Sequence, residues 1–256
     1  MSITQAVILA GGFGTRMREE SEFKPKPMVQ VGERPILEHI ACNFAKQGVE
    51  NILVLLGYKG EVIRDHFLNY REHTQAFKID LQTGNVQLLG DSSFPKCQIT
   101  FLDTGLHSLT GERLLRAAPY LEEEFFLTYG DGLADVDLLE LEKSHRKADA
   151  MVTVTVTPNI SKFGVVSRDE SGRVLSFSEK PDGHDLINMG YFLIDKSSLK
   201  FLPPSTMLEV EFMHNLISRS ELNSYKHDGF FAAIDTPRDL DAVNLKYQEG
   251  TLQWLI

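Results

Sequence analysis

Ala6-Val7-Ile8-Leu9-Ala10-Gly11-Gly12-Phe13-Gly14-Thr15-Arg16 is an apolar run that breaks into three glycines and then delivers a hydroxyl and a guanidinium. Ala6 to Leu9 is short and continuously apolar, the pattern of a parallel strand covered on both faces. A chain leaving such a strand through a glycine turn exposes backbone N–H groups, and such groups bind phosphate. Glycines also gather wherever a strand simply turns sharply. Here Lys24-Pro25-Lys26-Pro27-Met28 follows and adds cations beside the turn. The spacing fits neither the dinucleotide pattern Gly-x-Gly-x-x-Gly nor a P-loop ending in Gly-Lys-Ser/Thr. A nucleoside triphosphate is the expected guest.

Outward from that turn, strand and helix signals alternate. Asn51 to Leu56 is a second apolar run, and between the two Ile36, Ile40 and Phe44 repeat at helical spacing behind Pro35. Ile63, Phe67 and Tyr70 predict a helix after the Gly57 to Gly60 loop, and Phe125 to Thr128 predicts a strand ending in Tyr129-Gly130-Asp131-Gly132. This order implies an α/β fold with a doubly wound, mostly parallel, Rossmann-like sheet, in which ligands sit beyond the carboxyl ends of the strands. After a helix over about 136–147 the texture changes. Met151 to Thr157 alternates as a half-exposed strand, 163–167 and 173–179 flank a hairpin turn at Glu170-Ser171-Gly172, and Asn188 to Ile194 predicts one more strand. The expectation is strand-rich insertions on the same sheet, within a single domain over 1–256 whose halves divide near residue 135.

At 256 residues the chain can bury a sizeable core. Its formal charge of −10 lacks the basic footprint that nucleic acid or an anionic membrane requires, so phosphate binding must be local and needs a cation to offset the charge. Cys42 and Cys97 stand far apart in no C-x-x-C arrangement, which suggests neither a disulfide framework nor zinc and makes the cytoplasm the expected compartment. The apolar stretch from Ala6 to Ala10 is too short for a signal-peptide core, and no run reaches membrane-spanning length.

Asp131, between two glycines at a strand end, reads either as a turn residue or as a ligand-facing carboxylate. Asp235 precedes Thr236-Pro237-Arg238-Asp239, which has the form of a helix-start capping box. Two aspartates on one strand-end edge are also able to hold Mg²⁺ through an oxygen each, with phosphate and water completing the shell. Glu179-Lys180 reads as a solvated surface pair or, with Asn188, as the lining of a second subsite. The eight histidines show no metal-ligand spacing, and no Gly-x-Ser-x-Gly elbow is present.

In order, LAGGFGTR (9–16 with its preceding run), KPKPM (24–28), DTGLHSLTGERL (103–114), TYGDG (128–132), FGVV (163–166), EKP (179–181), INMGYF (187–192) and GFFAAIDTPRD (229–239) cover nearly the whole chain. This series resembles the sugar-1-phosphate nucleotidylyltransferases, of the nucleotide-diphospho-sugar transferase fold, and among them the glucose-1-phosphate cytidylyltransferases. The resemblance implies that Leu9, Ala10, Gly11, Gly12, Phe13, Gly14, Thr15, Arg16 and Lys26 grip the nucleotide, with Ser108, Arg113 and Gly130 completing that pocket. It makes Asp131 and Asp235 the Mg²⁺ ligands and puts Glu179, Lys180 and Asn188 near the sugar phosphate, so that the second half forms the sugar-binding side. Arg16, Lys26, Asp131, Lys180 and Asp235 are the implied catalytic set. The implied reaction joins CTP and glucose 1-phosphate into CDP-glucose and pyrophosphate; the implied assembly is a homo-oligomer. Another nucleoside triphosphate, another phosphorylated small molecule, or nucleotide sensing without turnover stay open as alternatives. Two departures bear on the pockets: Glu112 stands where the cytidylyl pattern has a second glycine, and Met207-Leu208-Glu209 lacks a tryptophan beside its glutamate. Glu112 is expected to point away from the base.

Overall fold

The computed structural model describes all residues except 15, 16, 18–23, 92, 93, 160–164, 170, 172, 179–184 and 256. Its main sheet has seven strands: β1 (Gln5–Ala10), β2 (Asn51–Leu56), β3 (Gln98–Asp103), β4 (Glu124–Tyr129), β5 (Val152–Pro158), β6 (Leu186–Asp195) and β7 (Leu222–Lys226). They lie in the order β3-β2-β1-β4-β6-β5-β7. β1 runs parallel to β2 and β4, and β2 parallel to β3. β6 alone is reversed, antiparallel to both β4 and β5, while β7 is parallel to β5.

Alternation along β1 assigns its side chains to two cores. Ala6, Ile8 and Ala10 join the cluster that receives Ile36, Leu37, Ile40 and Phe44 of α1 (Ile36–Lys46). That cluster also takes Leu138 and Leu141 of α4 (Leu138–Ala148) and Leu240 and Val243 of α5 (Pro237–Gln248). Val7 and Leu9 face the other cluster, with Leu114 and Ala117 of α3 (Thr110–Ala117) and with Phe212 and Leu216. Helices therefore cover both faces, which is why β1 and β2 read as unbroken apolar runs.

The departures from the sequence reading have local causes. One helix was expected through Ile63, Phe67 and Tyr70, but α2 (Gly60–Leu68) stops at Asn69, whose φ of −101° and ψ of 19° leave the helical region, and a separate turn covers Tyr70–Thr74. The strand-rich insertions are only partly on the same sheet. β5, β6 and β7 extend it, whereas Val165–Arg168 and Val174–Ser178 pair with each other as a separate ribbon. Both edges of β5 and of β6 are already occupied within the main sheet, so that hairpin has no place beside them. The edge strand β3, the mixed-polarity β7 and an exposed hairpin of Ala76–Ile79 with Val86–Leu89 carry no long apolar run. None of the three was expected.

Candidate active site

β1 and β4 end side by side, with Leu9 in register with Tyr129. The chain continues from them as Gly11-Gly12-Phe13-Gly14 and Gly130-Asp131, and the Gly130 N–H donates to the Leu9 carbonyl at 2.9 Å. Two of these glycines are required by space. A Cβ on Gly11 would run into the Arg113 guanidinium, and one on Gly130 would come 2.9 Å from Cγ of Pro27. The loop after β1 thus packs directly on an arginine, and the Lys24 to Met28 segment packs directly on the end of β4.

Arg113 fixes the glycine loop from behind. Its side chain is buried, and Nη1 donates to the carbonyls of Leu56 and Gly105 at 2.9 and 2.7 Å and to Oγ1 of Thr104 at 2.9 Å. Nη2 donates to the carbonyls of Gly11 and Leu106 at 3.0 and 3.3 Å. One planar fork therefore ties together the loops after β1, β2 and β3, a role for which arginine's donor geometry is suited. Burial lowers the pKa of this guanidinium, which stays charged throughout the ordinary pH range.

The acidic edge is assembled by a short ladder. Gly132–Ala134 pairs antiparallel with Phe231–Ala233, and the Ile234 N–H donates to the Asp131 carbonyl at 3.0 Å. That register brings Asp131 and Asp235, distant in sequence, onto one edge. Lys26 reaches between them: its Nζ is 2.7 Å from Oδ2 of Asp131 and 2.6 Å from Oδ1 of Asp235. Burial works against the ammonium, but the two carboxylates outweigh it and hold its pKa above the ordinary lysine value. Thr236 and Asp239 do form the reciprocal capping box at the start of α5, with Thr236 Oγ1 3.2 Å from the Asp239 N–H and Asp239 Oδ2 3.0 Å from the Thr236 N–H. Capping therefore belongs to Thr236 and Asp239 and leaves the Asp235 carboxylate to the ladder edge.

These parts line a cavity of about 430 Å³, the size range of small-molecule sites. Leu9 to Gly14, Lys26, Ser108, Arg113, Gly130, Asp131 and Asp235 all contribute to its wall. The exposed Phe13 ring lies 5.2 Å from Tyr58 and 5.7 Å from His107. A smaller cavity of about 180 Å³ adjoins it and includes Asn188, Gly190 and Glu209, with Tyr129 and Asp131 common to both. Glu209 accepts from Oγ1 of Thr110 at 2.9 Å and from the Tyr129 hydroxyl, whose pKa burial and the Glu209 charge push far up. Asn188 accepts from the Gly190 N–H at 2.8 Å, which shapes the turn of β6 past Tyr129.

Of the residues singled out in the sequence, Thr15, Arg16, Glu179 and Lys180 lie outside the described residues. The others converge on the two cavities. Arg113 reaches the wall, and both terminal nitrogens are engaged by protein oxygens, so it braces the pocket that it was expected to complete. Glu112 pairs with Arg116 on α3 at 2.6 Å and is not part of either wall. His107, Thr110, Tyr129 and Glu209 were not singled out. Each sits inside or beside a segment that had been noted, but a lone polar residue gives no sign in the sequence of which way it faces.

The donor set on the acidic edge suits a hard divalent cation. Two carboxylate oxygens converge within 2.7 Å of a single point, and Mg²⁺ is commonly bound by one or two carboxylates plus substrate phosphates. Among the described residues no group of three or more His, Cys, Asp or Glu could hold a metal unaided, so phosphate and water would have to complete the shell.

A family model described as nucleotidyl transferase matches residues 5–230. The chain is 42% identical to a probable glucose-1-phosphate cytidylyltransferase of Bacillus subtilis over 98% of its length and 99% of the relative's. It is 36% identical to the glucose-1-phosphate cytidylyltransferase of Salmonella typhi, over 98% of both chains. Among solved structures, HddC from Yersinia pseudotuberculosis superposes with a TM-score of 0.71 at 22% identity, covering 96% of this chain and 100% of that one. A UDP-glucose pyrophosphorylase complexed with UDP-glucose superposes at 0.68 with 16% identity, covering 96% and 99%.

Proposed function

Because the chain belongs to the nucleotidyl transferase family, we propose that it joins CTP and α-D-glucose 1-phosphate to give CDP-glucose and pyrophosphate. The observation that carries this reading is Asp131, which stands on the wall shared by a nucleotide-sized cavity and a smaller polar one, next to Asp235 and Lys26. A phosphate entering from either side meets the other there.

In the reaction a phosphate oxygen of the sugar phosphate bonds to the α-phosphorus of CTP. The bond from that phosphorus to the bridging oxygen of the β-phosphate breaks, and pyrophosphate departs in line. No covalent bond to the protein is needed, so the protein's task is to bring two mutually repelling anions together and hold them in line. The glycine loop, fixed by Arg113, receives the triphosphate. Lys26, Arg16 and Lys180 hold the phosphates, and Arg16 offsets charge on the departing pyrophosphate. Asn188, with Glu179, lines the sugar side. Asp131 and Asp235 hold Mg²⁺, which when bound supplies positive charge to the phosphoryl oxygens. Such a cation suits the charge balance: among the described residues of the larger cavity, Lys26 and Arg113 are matched in number by Asp131 and Asp235.

Ser108 supports cytosine as the base. Its hydroxyl donates to the Thr104 carbonyl at 2.5 Å, which leaves the oxygen of this cavity-lining residue able to act as an acceptor. Cytosine offers an exocyclic amino donor at the position where uracil has a carbonyl, and a mismatched buried polar group costs about 1–3 kcal/mol. A cytoplasmic homo-oligomer without nucleic-acid or membrane partners belongs to the same reading. It draws on the charge of −10 and the two free cysteines, and no described helix is long and apolar enough to cross a membrane.

Pyrophosphate release over a grid of nucleoside triphosphates and sugar 1-phosphates tests the assignment. CTP with glucose 1-phosphate gives the highest kcat/KM; a higher value with UTP, dTTP or GTP overturns the base, and a higher value with another sugar phosphate overturns the acceptor.

A further inference from the structure

Lys26 does more at the acidic edge than wait for phosphate. Its side chain is 9% exposed, and its ammonium stands at the point on which the two carboxylates converge, 2.7 Å from one and 2.6 Å from the other. A divalent ion bound there needs those oxygens at about 2.0–2.1 Å and cannot share the point with an ammonium. Resting on the reading that Asp131 and Asp235 are the metal ligands, we propose that Lys26 is a stand-in cation that closes the metal site until a polyphosphate draws it away. Metal and nucleotide are then taken up together.

The segment is built for a side chain to move on a fixed backbone. Prolines 25 and 27 restrict the chain on either side of Lys26, the Met28 N–H closes the turn onto the Pro25 carbonyl at 2.8 Å, and Gly130 packs against Pro27. The flexible four-carbon stem carries its charge as a compact point with rotatable donors, which exchanges one oxygen partner for another more readily than a guanidinium fork does. New partners are close, because Lys26 and the glycine loop line the same cavity. The stand-in also keeps the two carboxylates from facing each other uncompensated on the ladder edge. Coupling of this kind is reciprocal: whatever nucleotide adds to metal affinity, metal adds to nucleotide affinity.

The test is Mn²⁺ binding to the full chain followed by electron paramagnetic resonance, with and without α,β-methylene-CTP as an unreactive analogue. Wild type binds Mn²⁺ weakly alone and at least about tenfold more tightly with the analogue. Since the analogue brings phosphate ligands of its own, the deciding arm is Mn²⁺ alone. Lys26→Met and Lys26→Gln, each shown to be folded by circular dichroism, bind it about tenfold more tightly than wild type without nucleotide, whereas Lys26→Arg does not. If Lys26→Met does not fold, Lys26→Gln decides. Folded neutral variants that bind Mn²⁺ no better than wild type overturn the proposal. Asp131→Asn separates the two levels of the argument. If it abolishes Mn²⁺ binding while the neutral Lys26 variants stay at the wild-type level, the metal site stands and only the stand-in role falls; if Mn²⁺ binding survives Asp131→Asn in the Lys26→Gln background, both fall.

Discussion

The glycine-loop wall and the acidic edge each bring a buried cation to the same cavity, and they hold it in opposite ways. Arg113 donates to backbone carbonyls and one hydroxyl from three different loops, none of which can leave. Lys26 sits between two carboxylates that are each 39% exposed and reachable by another cation. Carbonyl partners make a charge part of the scaffold, whereas half-open carboxylate partners make it exchangeable. On the proposed reading one wall is a fixed mould for a polyphosphate and the other is a place where charge is traded.

The largest expected effect is on the exchangeable side. Asp131→Asn and Asp235→Asn each lower kcat/KM with Mg²⁺ by about 10²–10³-fold, the scale of losing one preorganised charge stabiliser. Thermal melts change little, because both side chains meet solvent. A variant that keeps near wild-type turnover removes that aspartate from the metal site.

Arg113→Ala reverses the pattern and acts on stability first. It removes donors from carbonyls in the buried loop junction and costs about 3 kcal/mol in urea unfolding. Arg113→Lys restores little of that loss, since one ammonium cannot replace the fork. Unchanged stability with a raised KM for nucleotide would instead make Arg113 a direct ligand contact.

A second ion-pair cluster sharpens the distinction by titration. Glu38 is 2% exposed at the side chain and accepts from Arg34 at 2.6 Å, with His66 Nε2 at 3.0 Å. Burial alone would raise its pKa, but His66 and Arg34 outweigh that and hold it below the ordinary carboxylate value. A depressed carboxylate pKa gives stability that is present above the unfolded value near 4.5 and lost as pH falls through the folded one. Wild type therefore loses more stability than Glu38→Gln on acidification below pH 4.5. Identical acid dependence in the two proteins would contradict this.

Thr236→Ala makes the smallest change. Loss of the cap costs about 1 kcal/mol and lowers the melting temperature by about 2–4 °C. An unchanged melt would mean that the capping box adds nothing to α5.

Much of this organisation is legible in the chain. β1 and β2 announce themselves because helices on both faces demand continuous apolar side chains, and Gly11 and Gly130 mark where backbone must approach other groups closely. Asp131 and Asp235 can be proposed as partners from their strand-end positions, but the ladder that joins them is three residues long on each side, too short to leave a pattern. What Arg113 touches is equally invisible beforehand, since backbone carbonyls carry no sequence signature. The same holds for Glu209, whose role comes from Thr110 and Tyr129 reaching it across the fold.

Direct transfer at the wall shared by the two cavities is tested most directly by phosphorus NMR of the protein with CTP, glucose 1-phosphate and Mg²⁺. The account predicts one CDP-glucose formed for every pyrophosphate released, neither product in the absence of the sugar phosphate, and no turnover of either substrate when Mg²⁺ is added to it alone. Pyrophosphate or CMP released without the sugar phosphate, or cytidylyl groups left on the protein, would contradict it.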